Sequence, residues 1–312
     1  MHRLERPTLA SRSSYARRFQ DSVFWQPYLD EVLRRHALPS RPAGLGTGGT
    51  FPTFLVGEYV VKFFGRRFNG AECFLIERSL HSHVLPGLRT PTPRHVADGH
   101  LFETGWRWPY IVTTRLAGTT WREASHHPGQ WQKVVAAELG AALREIHALE
   151  CPDEPVWHRD VLGVLRATCA ARHRSRRMLP EFLIDQIDDY LAPPSAEHRL
   201  VHADLHGDHI FVRHGHLAGI IDWGDALCGD PDYDLPALFF GTFGGSKPLL
   251  RAFLNACGWP VGYESGTGTG QNFARRAMTM TLLHEFNPLG HALPPLKDVT
   301  TLNELAEMLW RV

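Results

Sequence analysis

The segment from residue 200 to residue 235 constrains this chain more than any other part of its sequence. It reads LVHADLHGDHIFVRHGHLAGIIDWGDALCGDPDYDL and holds seven aspartates against one arginine. Short apolar runs over 199–202, 209–212 and 217–222 predict three β-strands around these acids. Such a concentration of carboxylates is either a solvated acidic face or a site for cations, which can be metal ions or amines.

The spacing within this segment narrows the chemistry. Asp204 precedes His209 by five residues, and Asp222 follows His209 by thirteen, at the end of an apolar run. This spacing is typical of a phosphoryl-transfer loop, in which one carboxylate meets the attacking hydroxyl while another group and a second carboxylate hold Mg²⁺ on the phosphates. A short hairpin between them would keep the three groups together.

A second part of such a site is expected near the N-terminus, where a lysine on a strand would grip the phosphates of a nucleotide. Lys62, in YVVKFF, is the only lysine in the first 132 residues, and it follows a hairpin that turns at Gly57-Glu58. Its expected partner is a helical glutamate; Glu77 fits, and Glu72 is the alternative. The glycine-rich loop over 44–50 precedes Lys62, as a loop that covers phosphates would. Each signal is weak alone, but together and in this order they are strong.

Composition excludes several other classes of protein. The 312 residues include 33 basic and 33 acidic side chains, so the overall charge gives no reason to expect a nucleic acid or an anionic membrane as partner. No apolar run approaches the roughly 18 residues of a membrane helix. Five cysteines without a CxxC pair argue against a disulfide scaffold and against a thiolate zinc site. We therefore expect a cytoplasmic protein.

The order of predicted elements suggests two lobes. We expect residues 1–20 to be a flexible leader, residues 21–116 a strand-rich N-lobe that binds nucleotide, and residues 117–312 a helical C-lobe with the catalytic loop and acceptor site. Helices are predicted from Asp21-Ser22, over 72–85, over 131–149 and over most of 162–191. The GTGTG run at 266–270 lacks a following lysine and is interpreted as a flexible loop rather than a phosphate loop.

Taken together, these motifs resemble aminoglycoside phosphotransferases. The resemblance covers most of the chain and is carried by VVKFF, WPYIVTTRLAG, LREIHAL, HADLHGDHIF, IIDWGD and GDPDYDL. It implies an α+β, two-lobed protein-kinase-like fold with a small β-rich N-lobe and a larger helical C-lobe. A closer similarity to hygromycin B kinases lies in Ser14-Tyr15, Phe24-Trp25, the GTTW run at 118–121 and the LHEF run at 283–286.

The resemblance assigns roles in binding the nucleotide. It implies that Lys62, positioned by Glu77, holds the α- and β-phosphates. Asp222 would chelate Mg²⁺. The carbonyl of Thr114 and the amide of Leu116 would meet the nucleotide base.

Roles in the catalytic loop also follow from the resemblance. Asp204 would act as catalytic base or orient the acceptor hydroxyl, and Asp234 would brace the loop. The family's usual metal-binding asparagine is replaced here by His209, which macrolide kinases and 2″-aminoglycoside kinases also carry at this place. His209 is therefore expected to bind the metal or to support a ligand of it. Because some of those relatives favour GTP, both ATP and GTP stay open as co-substrates.

The acidic rear of the chain suits a cationic small-molecule substrate. Candidate residues to bind it are Asp208, Asp225, Asp232 and Glu285, with Glu264 a weaker candidate; Asp225 and Asp232 could equally cap helices. The hypothesis is transfer of the γ-phosphate of ATP or GTP to a hydroxyl of an aminoglycoside, in particular hygromycin B. Another hydroxylated metabolite, such as a macrolide, an amino sugar or an amino alcohol, is the alternative acceptor. A monomer or weak dimer is expected.

Two readings from other classes remain. The chain could be a pseudokinase that binds nucleotide without turnover, although Lys62, Asp204 and Asp222 are all present. The run Asp204-x-His206-x-Asp208-His209 is also one residue away from the HxHxDH motif of zinc-dependent hydrolases. That reading leaves Lys62 and Asp222 unexplained, and His206, His214 and His216 are expected to be exposed hairpin residues instead.

Overall fold

A computed structural model describes residues 4–9, 11–46, 49–177, 179–195, 197–259, 273–289, 296 and 299–312. The chain divides into two compact units. The first comprises residues 1–117 and 219–224, and the second comprises residues 118–218 and 225–312. The assignment of these parts to nucleotide and acceptor binding stays a prediction.

The first unit is built on a five-stranded antiparallel sheet. Its strands, in the order β1-β2-β3-β5-β4 across the sheet, are β1 Gly44–Leu45, β2 Thr53–Val56, β3 Tyr59–Phe63, β4 His95–His100 and β5 Pro109–Thr114. The predicted hairpin between β2 and β3 turns at Gly57, whose φ of +62° favours glycine. Within β3, Lys62 lies opposite Thr53 of β2 and Ile111 of β5.

Helices cover the two faces of this sheet, and the alternation of side chains along β3 decides which residue meets which helix. Helix α2, Ser22–Arg35, begins where Asp21 accepts a hydrogen bond from the Phe24 amide. It buries Trp25, which stacks on Phe63 of β3 with ring centroids 4.8 Å apart. Ile111, the cross-strand partner of Lys62, packs instead in the cluster that contains Phe74 of helix α3, Gly70–Ser79. Lys62 therefore lies on the α3 face.

The segment expected to be a flexible leader contains a helix. Helix α1, Arg12–Arg18, begins with a capping box at Ser11 and Ser14. Tyr15 is buried, and its hydroxyl donates to the Thr50 carbonyl at 2.7 Å. The expectation missed this helix because seven residues rich in Arg and Ser show no amphipathic period, and the helix depends on a partner 35 residues away.

The second unit is mainly helical. The helices after α3 are α4 Trp121–Ala124, α5 Trp131–Ile146, α6 Val161–Ala167, α7 Cys169–Arg176, α8 Glu181–Ile184, α9 Ile187–Tyr190, α10 Lys247–Cys257, α11 Phe273–Leu283 and a final helix Leu302–Trp310. The helix expected over 131–149 ends at Ile146, and the helical stretch expected over 162–191 consists of four short helices. The helix expected over 72–85 is α3 followed by the π-helical turn Leu80–Val84.

Short strands frame the acidic segment. Strand β7, Arg199–Val201, pairs with β10, Leu227–Gly229. Strand β6, Thr119–Thr120, pairs with β8, Ile210–Arg213, in a three-stranded sheet that β9, His216–Ile220, completes. The three apolar runs of the acidic segment thus form β7, β8 and β9 as predicted. Residues 202–209 connect β7 to β8.

One disulfide was not expected from the sequence. Cys151 and Cys228 are bonded in the second unit, and they join the segment after α5 to strand β10. The spacing argument against a disulfide scaffold did not reveal this single bond, because the two cysteines are 77 residues apart and nothing local marks them as partners. Across the described ranges, every helix is too short or too polar to serve as a membrane-spanning segment.

The start of helix α3 provides a test of the packing around Glu77. A Cβ added to Gly70 would lie 1.9 Å from the Gly65 carbonyl oxygen. Gly70→Ala should therefore push α3 outward and lower the free energy of unfolding by about 1–3 kcal/mol. Gly87→Ala is the matched control, because its Cβ would meet nothing within 4 Å; its effect should stay within about 0.5 kcal/mol. Urea unfolding of both variants measures this, and equal effects would contradict the close approach.

Candidate active site

In the first unit, the ammonium group of Lys62 is buried between two acidic side chains. Strand β3 carries Lys62 and helix α3 carries Glu77, and the Lys62 ammonium donates a hydrogen bond to Glu77 Oε1. It also donates to Asp222 Oδ1 at 2.7 Å. The side chains of Lys62 and Glu77 are only 12% and 5% exposed. The structure thus pairs Lys62 with Glu77 rather than Glu72, and it adds Asp222 as a second carboxylate partner.

The charges of this group depend on one another. Burial alone would lower the pKa of Lys62, but the carboxylates of Asp222 and Glu77 outweigh it and hold the pKa above its usual value. Burial raises the pKa of Glu77, and the Lys62 ammonium opposes that rise. The rings of Phe51 and Phe64 also lie 5.5 and 5.2 Å from Lys62 Nζ. The ammonium is therefore charged and held at one position.

The backbone at Asp222 is unusual. Its φ is +63°, a left-handed conformation that few non-glycine residues adopt and that is common at functional sites. Two residues later, a Cβ on Gly224 would lie 3.0 Å from Glu77 Oε1, so the close approach to α3 favours glycine there. Gly49, in the described part of the glycine-rich loop, is also near: its Cβ would lie 4.0 Å from Asp222 Oδ2.

In the second unit, a buried carboxylate organises the residues before Asp204. Asp234 is fully buried; its Oδ1 accepts a hydrogen bond from the Ala203 amide at 2.8 Å, and its Oδ2 accepts one from His147 Nε2 at 2.8 Å. Ala203 has a φ of +68°, which is strained for alanine. Asp234 thus stabilises the turn that leads into Asp204, which is the bracing contact implied by the resemblance.

Two histidines surround Asp204. His206 Nε2 lies 3.5 Å from Asp204 Oδ2, and His209 Nδ1 lies 3.6 Å from the same oxygen. His209 is buried, and its Nδ1 donates to the carbonyl oxygen of Asp204 at 2.8 Å. The two imidazole rings are 3.9 Å apart. The expectation that His206 is an exposed hairpin residue is wrong, since it lies in the turn before β8 and beside Asp204.

The predicted substrate-binding acids lie in different surroundings. Asp208 is half-buried, and both its carboxylate oxygens accept hydrogen bonds from Arg122 Nε, at 2.8 and 2.7 Å. Asp232 is buried and accepts hydrogen bonds from Trp259 Nε1 at 2.7 Å and Arg276 Nε at 2.9 Å. The contacts of Asp232 are those of a structural residue rather than of an exposed binding group.

Asp225 and Glu285 are exposed, and both act electrostatically on Arg159. Burial lowers the pKa of Arg159, and the negative charges of Glu285 and Asp225 oppose that change. Sequence reasoning missed Arg159 because it follows no motif and lies in a loop between α5 and α6. A lone arginine in a loop carries no signal of its own.

The residues expected to meet the nucleotide base lie at the end of strand β5. The Thr114 amide donates to the Arg94 carbonyl at 2.9 Å. The side chain of Leu116 lies against Gly219, where a Cβ would be 2.5 Å from Leu116 Cδ1. Their role toward a nucleotide stays a prediction. Glu264 and the run 266–270 lie outside the described residues.

His284, which interacts with the Ala203 backbone, offers a test by pH. Burial lowers its pKa to about 4, and its ring stacks on Tyr233 with centroids 4.7 Å apart. An unfolded histidine has a pKa of about 6.5, so between about pH 6.5 and pH 4 the unfolded chain takes up a proton that the folded chain does not. His284 should therefore reduce stability as the pH falls through this range, by up to about 1.4 kcal/mol per pH unit.

The matching variant is His284→Phe, which keeps a ring beside Tyr233 and removes the titration. In denaturant unfolding at a series of pH values, it should flatten the acid side of the stability profile. His214→Asn, at an exposed turn position, should leave the profile unchanged. An unaltered slope in His284→Phe would show that the imidazole is not buried in its neutral form.

Comparison with solved structures shows proteins of the same fold. Similar structures include the streptomycin-ATP-APH(2″)-IIa ternary complex (TM-score 0.54, 19% identity, 74% of this chain and 81% of that one). The GDP complex of aminoglycoside 2′-phosphotransferase-IIIa is similar over 84% of this chain and 89% of that one (TM-score 0.62, 21% identity). The structure of macrolide 2′-phosphotransferase MphH from Brachybacterium faecium is similar over 93% of this chain and 99% of that one (TM-score 0.57, 20% identity). These similarities confirm the expected α+β, protein-kinase-like fold.

Two further proteins are similar to this chain in sequence. A homoserine kinase of Bradyrhizobium sp. (strain ORS 278) is 26% identical over 68% of this chain and 73% of its own length. Lysine-specific demethylase JMJ21 of Arabidopsis thaliana is 25% identical over 75% of this chain, which spans only 31% of that protein. The model of the phosphotransferase enzyme family matches residues 43–267, which is more than two thirds of the chain. The chain therefore belongs to the phosphotransferase enzyme family.

Proposed function

We propose that this phosphotransferase moves the γ-phosphate of ATP or GTP to a hydroxyl of a cationic small molecule, specifically an aminoglycoside such as hygromycin B. The observation that carries the proposal is the charged Lys62 ammonium, buried between Glu77 and Asp222. A positive charge that is held in place in this way is suited to binding phosphate oxygens. Phosphoryl transfer requires little covalent chemistry from the protein and depends mainly on the positioning of the phosphates. The solved structures similar to this chain include complexes with ATP and with GDP.

In this proposal Lys62 donates to the phosphate oxygens of the nucleotide while Glu77 keeps the ammonium in position. Asp222 suits Mg²⁺, because a hard cation prefers carboxylate oxygens. His209 is the second candidate ligand; an imidazole nitrogen fits Mg²⁺ less well, so a role through a bound water agrees better with that preference. When bound, Mg²⁺ would neutralise charge on the phosphate oxygens.

Asp204 acts on the acceptor. The acceptor oxygen forms a bond to the γ-phosphorus as the bond from that phosphorus to the β,γ-bridging oxygen breaks. The proton of the acceptor hydroxyl passes to the Asp204 carboxylate. Because the transition state is loose, the orientation of the hydroxyl contributes as much as the basicity of Asp204. Asp234 supports this step by stabilising the turn at Ala203.

The acceptor class follows from charge. Residues 195–312 hold 13 acidic and 8 basic side chains, and a cleft or face of one sign concentrates ligands of the other sign. The exposed acids Asp225 and Glu285 are the candidates to bind amines, with Asp208 as a third. Asp232 is left out of the proposal, since its carboxylate is engaged by Trp259 and Arg276.

An amino alcohol is the second candidate acceptor. Arg159 interacts electrostatically with Asp225 and Glu285, and a cation within range of two acids suits a small substrate with both an ammonium and a carboxylate. The similarity to a homoserine kinase is consistent with an amino alcohol as acceptor. The similarity to a macrolide 2′-phosphotransferase is consistent with a macrolide as acceptor. Nucleotide turnover measured against a panel of aminoglycosides, macrolides and amino alcohols, followed by locating the new phosphate on the product, separates them. Binding of nucleotide with no transfer to any acceptor would favour a pseudokinase.

Asp204→Asn tests the acceptor step. Loss of the carboxylate should lower the rate of transfer by about 10²–10⁴-fold, the usual contribution of a positioned general base. Affinity for the nucleotide should not change. Asp189→Asn, an exposed aspartate on α9, is the matched control and should keep the wild-type rate. Full activity in Asp204→Asn would refute the assigned role.

Lys62→Ala tests the nucleotide step. The variant should lower kcat strongly even at saturating nucleotide, since phosphate positioning is lost. Removing the ammonium also leaves Glu77 and Asp222 without their cation, and breaking a buried ion pair in this way lowers the free energy of unfolding by about 3–5 kcal/mol. Thermal unfolding therefore first checks that the variant is folded. Lys133→Ala, at an exposed position of α5, is the control. If Lys62→Ala folds and turns over normally, Lys62 does not position the phosphates.

A further inference from the structure

We propose that Asp204, His206 and His209 form a binding site for one Zn²⁺ ion or a similar transition-metal ion, and that an ion bound there blocks phosphate transfer. The binding half of this proposal stands on the geometry of the second unit alone. The inhibitory half rests on the proposed function, because it needs Asp204 to meet the acceptor.

The distances suit a small tetrahedral ion. One donor atom from each of the three residues lies within 4.8 Å of the other two. Two atoms that each bind zinc at 2.0–2.1 Å in tetrahedral geometry lie about 3.3 Å apart. The separation from Asp204 Oδ2 to His206 Nε2, 3.5 Å, is close to this value, and the His209 ring lies beside that of His206 with ring centroids 3.9 Å apart. Small side-chain rotations therefore bring Asp204 and His206 onto one ion, and the neighbouring His209 ring is the source of the third ligand.

The hydrogen bonds of His209 resemble those of a metal-binding histidine. Such histidines donate a proton from one ring nitrogen to a carbonyl or carboxylate and bind the metal through the other. His209 Nδ1 lies 2.8 Å from the Asp204 carbonyl oxygen, which can only accept, so Nδ1 carries the proton. In the neutral ring, the lone pair is then on Nε2. His209 is also buried, which limits the positions its ring can take.

His206 has a corresponding support. Its Nδ1 lies 3.4 Å from the Asp208 carboxylate and accepts from the Asp208 amide at 3.3 Å. When Nε2 binds a metal, the ring proton moves to Nδ1, which then gives up the hydrogen bond from the Asp208 amide and donates to the Asp208 carboxylate instead. Asp208 is in turn held by Arg122 Nε at 2.7 and 2.8 Å. This carboxylate–histidine arrangement is the common support of a zinc ligand.

The donor set selects among cations. Two imidazole nitrogens and one carboxylate suit Zn²⁺, Co²⁺, Ni²⁺ or Cu²⁺, whereas Mg²⁺ prefers oxygen ligands. The side chains of His206 and Asp204 are 29% and 14% exposed, so an ion can reach the site and water can complete its coordination. An ion that binds Asp204 Oδ2 withdraws that oxygen from the acceptor hydroxyl. The proposal therefore predicts inhibition by zinc that excess magnesium does not relieve.

Direct binding is the first test. The full chain, free of any histidine tag and stripped of metal, is titrated with Zn²⁺ by calorimetry in the absence of nucleotide and acceptor. Co²⁺ then serves as a probe, since its visible absorption reports tetrahedral coordination by nitrogen and oxygen. One ion per chain is expected, and Mg²⁺ in excess should not displace it. No binding above that of the controls would overturn the proposal.

Substitutions identify the ligands. Loss of a residue that only hydrogen-bonds to a metal ligand weakens metal binding by roughly 10–100-fold. Because His206 and His209 are proposed to bind the ion directly, His206→Asn and His209→Asn should each weaken Zn²⁺ binding by more than about 100-fold. His214→Asn, the same change at an exposed histidine, should bind Zn²⁺ like the unaltered chain. Thermal unfolding checks that each variant is folded, and the two ligand variants test the site independently. Undiminished affinity in both would refute the assignment.

Inhibition is measured separately. Zn²⁺ is added to the transfer reaction with saturating Mg²⁺ and nucleotide, and each rate is expressed relative to the rate of the same variant with Mg²⁺ but without zinc. The unaltered chain and His214→Asn should be inhibited, and His206→Asn should resist. If zinc binds but no acceptor is phosphorylated under any condition, the proposed function fails while the metal site stands. If transfer proceeds and zinc neither binds nor inhibits, only the metal site fails.

Discussion

The buried ammonium of Lys62 is the constraint on which the first unit depends. A charge removed from water is costly unless opposite charges surround it, so Lys62 needs both Glu77 and Asp222. Three parts of the unit must therefore be placed together: strand β3, which carries Lys62, helix α3, which carries Glu77, and residues 219–224, which carry Asp222. The close packing at Gly70 and Gly224 follows from it, because larger residues there would displace α3 or crowd Glu77.

The second unit solves a similar problem with a carboxylate instead of an ammonium. Asp234 is fully buried, and its two oxygens accept from the Ala203 amide and from His147. These hydrogen bonds stabilise a left-handed alanine that would otherwise be strained. The left-handed conformation occurs at Ala203, directly before Asp204, and at Asp222 itself, and these are the two acids to which we assign chemistry. At Ala203 a buried carboxylate holds the backbone in this conformation through the amide, whereas Asp222 makes its polar contact with Lys62 through the side chain.

The surroundings of Asp204 connect activity and metal binding. Two imidazoles close to one carboxylate can steady it, and they also complete a set of ligands for a transition metal. The same short run resembles a zinc-hydrolase motif because of these residue types, whereas the fold and family are those of phosphotransferases. A histidine at position 209, where asparagine is usual in the family it resembles, makes this second property available.

Much of the fold and part of the site could be predicted from the sequence, because the signals are local. Periodicity predicted the β2–β3 hairpin, helix α5 and strands β7 to β9, and the scarcity of lysine directed attention to Lys62 and its partner Glu77. Tertiary structure alone decided that Asp232 is engaged by Trp259 and Arg276, that Arg159 is near Asp225 and Glu285, and that Cys151 bonds Cys228. The physical reason is sequence distance: these partners lie tens of residues apart, and which of them meet depends on packing and desolvation rather than on any local pattern.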